Sequence, residues 1–211
     1  MTEERLARLQ QVAGPVSRET FQDLVAFETA FLRWNQVTNL VAPSTLPYLW
    51  ERHIIDSAQI LPIGGDAVSW VDLGSGGGLP GIILAILLKP RAGTMVHLVE
   101  SNRKKAAFLQ SVAGQLELPV RVHAVRIEEA VKIGIEAQIV TARALASLSQ
   151  LYALSEPWLS RGARALFHKG RDYRREIEET IHNWESDLIE HPSVVEQSSV
   201  ILEIRSLRKR S

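Results

Sequence analysis

Cysteine is absent from all 211 residues, which excludes a disulfide framework and any thiolate metal site. No apolar run approaches the length of a bilayer crossing. The longest, GIILAILL at 81–88, falls far short of the ~20 residues a spanning helix needs. The amino-terminal MTEERLARLQ mixes charged with apolar residues and holds no apolar h-region. No signal peptide is expected, and the chain reads as cytoplasmic with no membrane partner. Excess charge of either sign is missing too, since 24 Lys and Arg balance 24 Asp and Glu. Proteins that coat nucleic acid draw non-specific affinity from neutralising phosphates. The balance argues against that class but leaves room for a local basic face. No internal repeat, Ser–His–Asp set, carboxylate pair or metal-ligand cluster stands out, so no metal is expected.

What is present is an apolar fraction of 45%, enough for one well-filled core. Up to about residue 63 the pattern is helical. In RETFQDLVAFETAFLRWNQ, the residues Phe21, Leu24, Val25, Phe27, Phe31 and Leu32 recur at steps of three and four. After a break at Pro43 and Pro47, YLWERHIIDSAQIL predicts a second helix that ends before Pro62 and the Gly64–Gly65 pair. The rhythm then changes to short apolar strands separated by helices. Strands are expected at 69–74, 94–100, 120–125, 137–142 and 163–170, with SSVILEIRSL as an edge strand near the end. Helices are expected through PGIILAILL, through NRKKAAFLQSVAGQL with Asn102 as N-cap, over Leu148 to Trp158, and through RREIEETIHNW. Strands alternating with helices of this length form βαβ units in a parallel, doubly wound sheet. The organisation expected is a helical extension over 1–63 ahead of a Rossmann-like α/β unit over 64–211.

VDLGSGGGLPG, residues 71–81, places glycine at 74, 76, 77, 78 and 81. The cluster falls where the first strand turns into a helix. In open α/β sheets, ligands bind beyond the carboxyl ends of the strands. Glycines there allow positive φ angles and a close backbone approach. Two ligands compete. Gly76, Gly78 and Gly81 satisfy G-x-G-x-x-G formally, with Glu100 further on, which suits a dinucleotide. Asp72, at the strand end, would repel a pyrophosphate but suits a ligand carrying a cationic amino group. S-Adenosylmethionine has that amino group, and Glu100 can accept from both of its ribose hydroxyls. Charge favours the adenosylmethionine reading, with an NAD-dependent or nucleotide-binding protein as the alternative.

VDLGSGGGLPGI resembles the first motif of class I methyltransferases. RWNQVTNL (33–40), RHIIDS (52–57), VESNRKKAAFL (99–109), RIEE (126–129), ARALASL (142–148) and HKG (168–170) follow the order of one family. Together they resemble the RsmG (GidB) family, which methylates N7 of a guanine in bacterial small-subunit ribosomal RNA. The resemblance implies a class I S-adenosylmethionine-dependent methyltransferase fold: a seven-stranded sheet with an antiparallel last strand and an amino-terminal helical extension. It implies cofactor contacts at Gly74, Leu79, Glu100, Ser101, Asn102, Ile127, Glu128 and Arg143. Asp72, Gly76 and Gly78 join that set from the residues themselves.

Guanine N7 is a neutral lone-pair nucleophile, so methylation there needs alignment rather than a general base. The absence of an acid–base signature fits such a reaction. Arginine is a natural partner for the Hoogsteen edge of guanine, and Arg143, at the carboxyl end of the fourth strand, is the expected catalytic residue. The competing reading is a structural arginine paired with Asp72 or Glu128. Arg103 and Lys104 open a helix where positive charge opposes the dipole, and they are candidate RNA contacts. Lys169 joins them at the end of the fifth strand; Arg171, Arg174 and Arg175 read as a solvated helix start with partners at Glu178 and Glu179. His53 and Asp56 share a helical face and read as a structural pair between extension and core. Asn39 and His53 are candidate linings of the substrate entrance. The five tryptophans read as core or rim packing. A neutral chain should bind naked RNA poorly, so the expected partner is ribosomal RNA within a particle, and the expected state is a monomer.

Overall fold

The computed structural model describes residues 2–210. Helices α1 (Thr2–Ala13) and α2 (Arg18–Asn35) come first, α2 being capped by Ser17, whose hydroxyl accepts the Thr20 N–H. A 3₁₀ segment (Pro43–Tyr48) and a π-helical segment (Trp50–Ile55) lead into two short helices, α3 (Asp56–Ala58) and α4 (Ile60–Gly64). The single helix expected over 48–61 is therefore three helical forms in succession. A π turn differs from an α turn by one residue, too little for periodicity to register over six residues.

Seven strands then form one sheet: β1 (Ser69–Leu73), β2 (Met95–Val99), β3 (Val120–His123), β4 (Ile139–Arg143), β5 (Arg164–Lys169), β6 (Trp184–Pro192) and β7 (Val200–Lys209). Their order is β3-β2-β1-β4-β5-β7-β6. The first five are parallel, and β7 runs antiparallel to both β5 and β6. The helices between strands are α5 (Gly81–Leu88), α6 (Arg103–Gln115), α7 (Ile127–Lys132), α8 (Leu148–Leu159) and α9 (Tyr173–Thr180).

Two expectations need correcting. The terminal strand is not at the edge: β7 lies between β5 and β6. The edge on that side is β6, a strand the sequence reading does not contain; the helix expected through RREIEETIHNW overlaps it only at Trp184. In WESDLIEHP, Glu185, Asp187 and Glu190 alternate with less exposed neighbours. Charge on an outer strand discourages edge-to-edge pairing, and it also disguises the strand as a polar helix.

Core residues fill both faces of the sheet. On one side α5 is buried almost all round, between the sheet and α2, α3 and α4, as expected for a helix apolar on every face. Phe27, Phe31 and Phe108 pack in tilted and edge-on pairs with centroids 5.6 to 6.4 Å apart, joining α2 to α6. Residues of the extension and of the sheet thus share one hydrophobic cluster. On the other face Tyr152, Trp158 and Phe167 anchor a second cluster under α8. Trp50, Trp70, Trp158 and Trp184 are buried, and Trp34 packs on Phe108. Strand order reverses between β1 and β4, so a crevice opens at their carboxyl ends.

Candidate functional site

The crevice holds a cleft of about 480 Å³ at the ends of β1, β2, β3 and β4, within the ~300–1,000 Å³ of typical small-molecule sites. Its floor is the glycine turn. Ser75 donates its N–H to Val99 O (3.0 Å), and Gly78 donates to Ser75 O (2.7 Å), closing the loop. Gly76 has φ +54°, and a Cβ there would meet nothing closer than Gly74 O at 3.7 Å. That is the one position in the turn where the missing side chain leaves open space at the cleft. Gly78, at φ +81°, is different: a Cβ would stand 2.5 Å from Ile82. Gly77 likewise backs onto Phe31. Much of the glycine content therefore serves the close approach of the turn to α2 and α5 rather than to a ligand.

Glu100 ties the floor together. One carboxylate oxygen accepts the Gly76 N–H (2.8 Å) and the other the Asn102 N–H (2.7 Å). A carboxylate has about four lone-pair positions, so acceptor capacity remains on both oxygens for hydroxyls in the cleft. Asn102 caps α6 as expected, its side-chain oxygen accepting from Lys104 and Lys105 N–H. Gly74, Leu79, Ser101, Ile127 and Glu128 line the cleft with Gly76 and Glu100, whereas Gly78 and Asn102 do not line it. Val125, Arg126 and Leu145 line it as well. They had not been singled out, because nothing in their local pattern distinguishes them from ordinary turn residues.

Asp72 lies elsewhere than its charge suggested. It is 1% exposed, below the turn, and accepts from the Thr141 hydroxyl (2.7 Å) while its other oxygen has no partner. Burial pushes its pKa up to about 6. It does not line the cleft.

Arg143, at the end of β4, is where two cavities meet. A second cleft of about 320 Å³ shares Arg143 and Ala144 with the first and reaches toward His168 and Lys169 on β5. Neither Asp72 nor Glu128 pairs with Arg143. Its partners all come from the extension: Nε lies 3.2 Å from Asp56 Oδ2, and Nη2 donates to Arg52 O (2.8 Å) and meets His53 Nδ1 (2.8 Å). Nη1 is buried without a partner. His53 and Asp56 thus do not bond each other, as their spacing suggested, but jointly hold this guanidinium. Asp56 is further fixed by Gln59 Nε2 at Oδ1 (2.7 Å) and by His168 Nε2 at its carbonyl (2.8 Å).

Among the basic candidates, Arg103 and Lys104 are exposed beside the cleft, and Lys105 lines it. Lys169 is buried, 2.6 Å from Glu176, and donates to Ala146 O (3.1 Å). Arg175 pairs with Glu179 (2.9 Å), the helical partner expected. Asn39 is exposed next to Leu40 and Val41, which line the cleft mouth. Among the described residues, no group of three or more His, Asp or Glu could hold a metal ion.

Known proteins resemble this chain in fold and in sequence. Similar solved structures include the O-methyltransferase from Bacillus cereus in complex with SAH, with a TM-score of 0.56 at 16% identity, covering 98% of this chain and 100% of that one. A Chelativorans protein named ribosomal RNA small subunit methyltransferase G is 56% identical over 99% of this chain and 100% of its own length. The Brucella canis protein of the same name is 53% identical over 98% of this chain and 97% of its own. A family model described as rRNA small subunit methyltransferase G matches residues 20–205. The chain belongs to that family, GidB, and is a small-subunit ribosomal RNA methyltransferase.

Proposed function

We propose that this chain methylates N7 of a guanine in small-subunit ribosomal RNA, with Arg143 at the junction between donor and base. The observation that carries the reading is the meeting of two clefts at Arg143 and Ala144. One cleft has the volume and the carboxylate for an adenosyl group, and the other opens beside it. S-Adenosylmethionine supplies an electrophilic methyl on a positively charged sulfur. Glu100 accepts from the ribose hydroxyls, Leu79 and Ile127 contact the adenine, and Ser101, Glu128 and the Gly74–Gly76 backbone complete the binding surface.

The N7 lone pair forms the new bond to the methyl carbon while the carbon–sulfur electron pair leaves with sulfur as a thioether. No proton is transferred, so the residues need only align the three atoms. An arginine reading guanine through O6 and N7 together would block the nucleophile. Arg143 avoids this because Nε and Nη2 are committed to the extension, leaving Nη1 for a single contact. Arg103, Lys104 and Lys105, beside the first cleft, meet the RNA backbone. The zero formal charge supports a folded ribosomal particle as the substrate, and the working form in this proposal is a cytoplasmic monomer.

The test is tritiated-methyl transfer to small subunits from cells lacking this protein, followed by nucleoside analysis. The expected product is 7-methylguanosine, and label in any other nucleoside refutes the assignment. Arg143→Ala should abolish transfer while calorimetry still detects binding of S-adenosylhomocysteine; wild-type turnover would remove Arg143 from the site. Efficient methylation of a short free hairpin would refute the particle requirement.

A further inference from the structure

Cations facing the two clefts divide into those the protein has neutralised and those it has left free. In the second cleft Arg52, Arg143 and Lys169 are paired with Glu196, Asp56 and Glu176. Arg171 lines the same cleft and is exposed, and its side chain has no ion pair or hydrogen bond among the described residues. The helical partner expected for it is taken, since Glu179 bonds Arg175 (2.9 Å). Asp172, also at that lip, acts on the Arg175 charge as well. Across the first cleft, Arg103 and Lys104 are exposed and likewise have no acidic partner among the described residues. Arg171 follows the end of β5, and Arg103 follows the end of β2 through the Asn102 cap. The order β2-β1-β4-β5 sets these strand ends three steps apart, about 14 Å, with Arg143 on β4 between them.

The N7 edge of a paired guanine lies in the deep, narrow groove of A-form RNA, which side chains cannot enter. Bringing it to a methyl group held in a cleft requires turning the nucleotide out about its backbone. The phosphates that flank the extruded nucleotide then lie on opposite sides of the opening. Resting on the reading that the target guanine enters at Arg143, we propose that Arg171 is a backbone-binding residue that holds a phosphate on one side of that nucleotide, while Arg103 and Lys104 hold one on the other. The RNA strand crosses the carboxyl ends of the sheet from β2 to β5. A free guanidinium suits this task, because its fork donates to two phosphate oxygens at once. The neutralised cations of the second cleft hold protein carboxylates instead, so Arg171 carries the uncompensated charge at that lip.

The test uses full-length protein and small subunits from cells lacking it, with binding measured over a range of salt in the presence of S-adenosylhomocysteine. Arg171→Gln should weaken particle binding about 5- to 20-fold and lower the slope of log K against log salt by about 0.7, the share of one phosphate on a single strand. In methyl transfer the loss should fall on KM and leave kcat nearly unchanged. Arg171→Lys keeps the charge without the fork, so it should restore the slope and part of the affinity. Arg161→Gln, at an exposed arginine before the amino end of β5, should change neither. Affinity for S-adenosylhomocysteine should be the same in all variants. Particles reconstituted with one neutral methylphosphonate linkage, 5′ or 3′ of the target, separate the two flanks. One position should cancel the Arg171→Gln penalty and the other that of Lys104→Gln. An unchanged salt slope in Arg171→Gln, a loss confined to kcat, an equal loss in Arg161→Gln, or cancellation of both penalties at one linkage would each overturn the proposal. Wild-type turnover by Arg143→Ala would instead refute entry at Arg143, a result read without any Arg171 variant.

Discussion

Replacing Asp56 by Asn tests the coupling between extension and sheet most directly. The ion pair to Arg143 is close (3.2 Å), and the two side chains keep 12% and 17% exposure. Removing one partner of a fully buried pair costs about 3–5 kcal/mol, because the other charge is left uncompensated. Residual exposure lowers that figure, and Asn can still accept from Gln59 at the Oδ1 position. About 2–3 kcal/mol is therefore expected. For a chain of this size each kcal/mol shifts Tm by about 2–4 °C, so the fall should be roughly 4–12 °C. Chemical denaturation of wild type, Asp56→Asn, Arg143→Met and the double variant closes a cycle. Residues in contact should show non-additivity of about 1.5 kcal/mol or more, since removing both charges leaves neither stranded. The exposed pair Lys132–Glu129 (2.7 Å) serves as the internal control and should be additive. Additivity of Asp56 and Arg143 within about 0.5 kcal/mol would refute the claim that the extension holds Arg143 by charge.

Three further outcomes follow from the same contacts. Gly78→Ala should destabilise by about 1–3 kcal/mol, because its Cβ meets Ile82 at 2.5 Å on a backbone of φ +81°. Gly76→Ala should cost only the strain of about 1 kcal/mol and act mainly on S-adenosylhomocysteine affinity; calorimetry and thermal melts that ranked the two the other way would contradict the packing account. Glu100→Gln puts an amide NH₂ against one of two backbone N–H groups, and cofactor affinity should fall about 10- to 100-fold. His97, stacked on His123 with Nδ1 and Nε2 2.9 Å apart, has its pKa lowered by burial to about 4. A histidine depressed on folding stabilises fully above its unfolded pKa of about 6.5. That stability is lost as pH falls from 6.5 through 4, the window His53 shares. Asp72, raised to about 6, acts oppositely, losing stability as pH rises through about 4 to 6. His97→Gln should therefore flatten the acid limb of stability against pH; an unchanged limb would show that the pair is solvated.

The central parallel strands were legible because they are short, nearly unbroken apolar runs buried on both faces, VDL and IVTA among them, and β3, at the far edge and only half buried, because of its alternating valines. β6 was not, since its outer position lets a third of its residues be charged. The cleft was located correctly from the glycine cluster, though for a reason only partly right. Gly77 and Gly78 answer to Phe31 and Ile82, contacts between elements that no local pattern contains. Asp72 illustrates the same limit. Its charge and position suited a ligand, but whether a strand-end carboxylate faces the cleft or the underside depends on the pleat, and here Thr141 on the adjacent strand takes it. Arg143 was found through resemblance, while its true partners were out of reach. Asp56 and His53 are remote from it in sequence, and their helical spacing implied a bond to each other where the structure has both meeting a third residue.

That arrangement explains why a methyltransferase sheet would need the extension at all. In the proposed reaction the carboxyl end of β4 places an arginine beside the donor, and a bare guanidinium there would oppose it, since methylation at N7 leaves a positive charge on the purine ring. Asp56 makes the Arg143 pair neutral overall, and His53 accepts from it while staying uncharged. The donors remain and their net charge does not. Gln59 carries the same constraint outward, bonding Asp56 on one side and Ser193 and Val194 of the β6–β7 loop on the other. Arg52 and Glu196 add an exposed ion pair across that junction. The extension, the arginine strand and the terminal hairpin are thus joined through one carboxylate, and on the proposed function the geometry of methyl transfer depends on residues that precede the sheet.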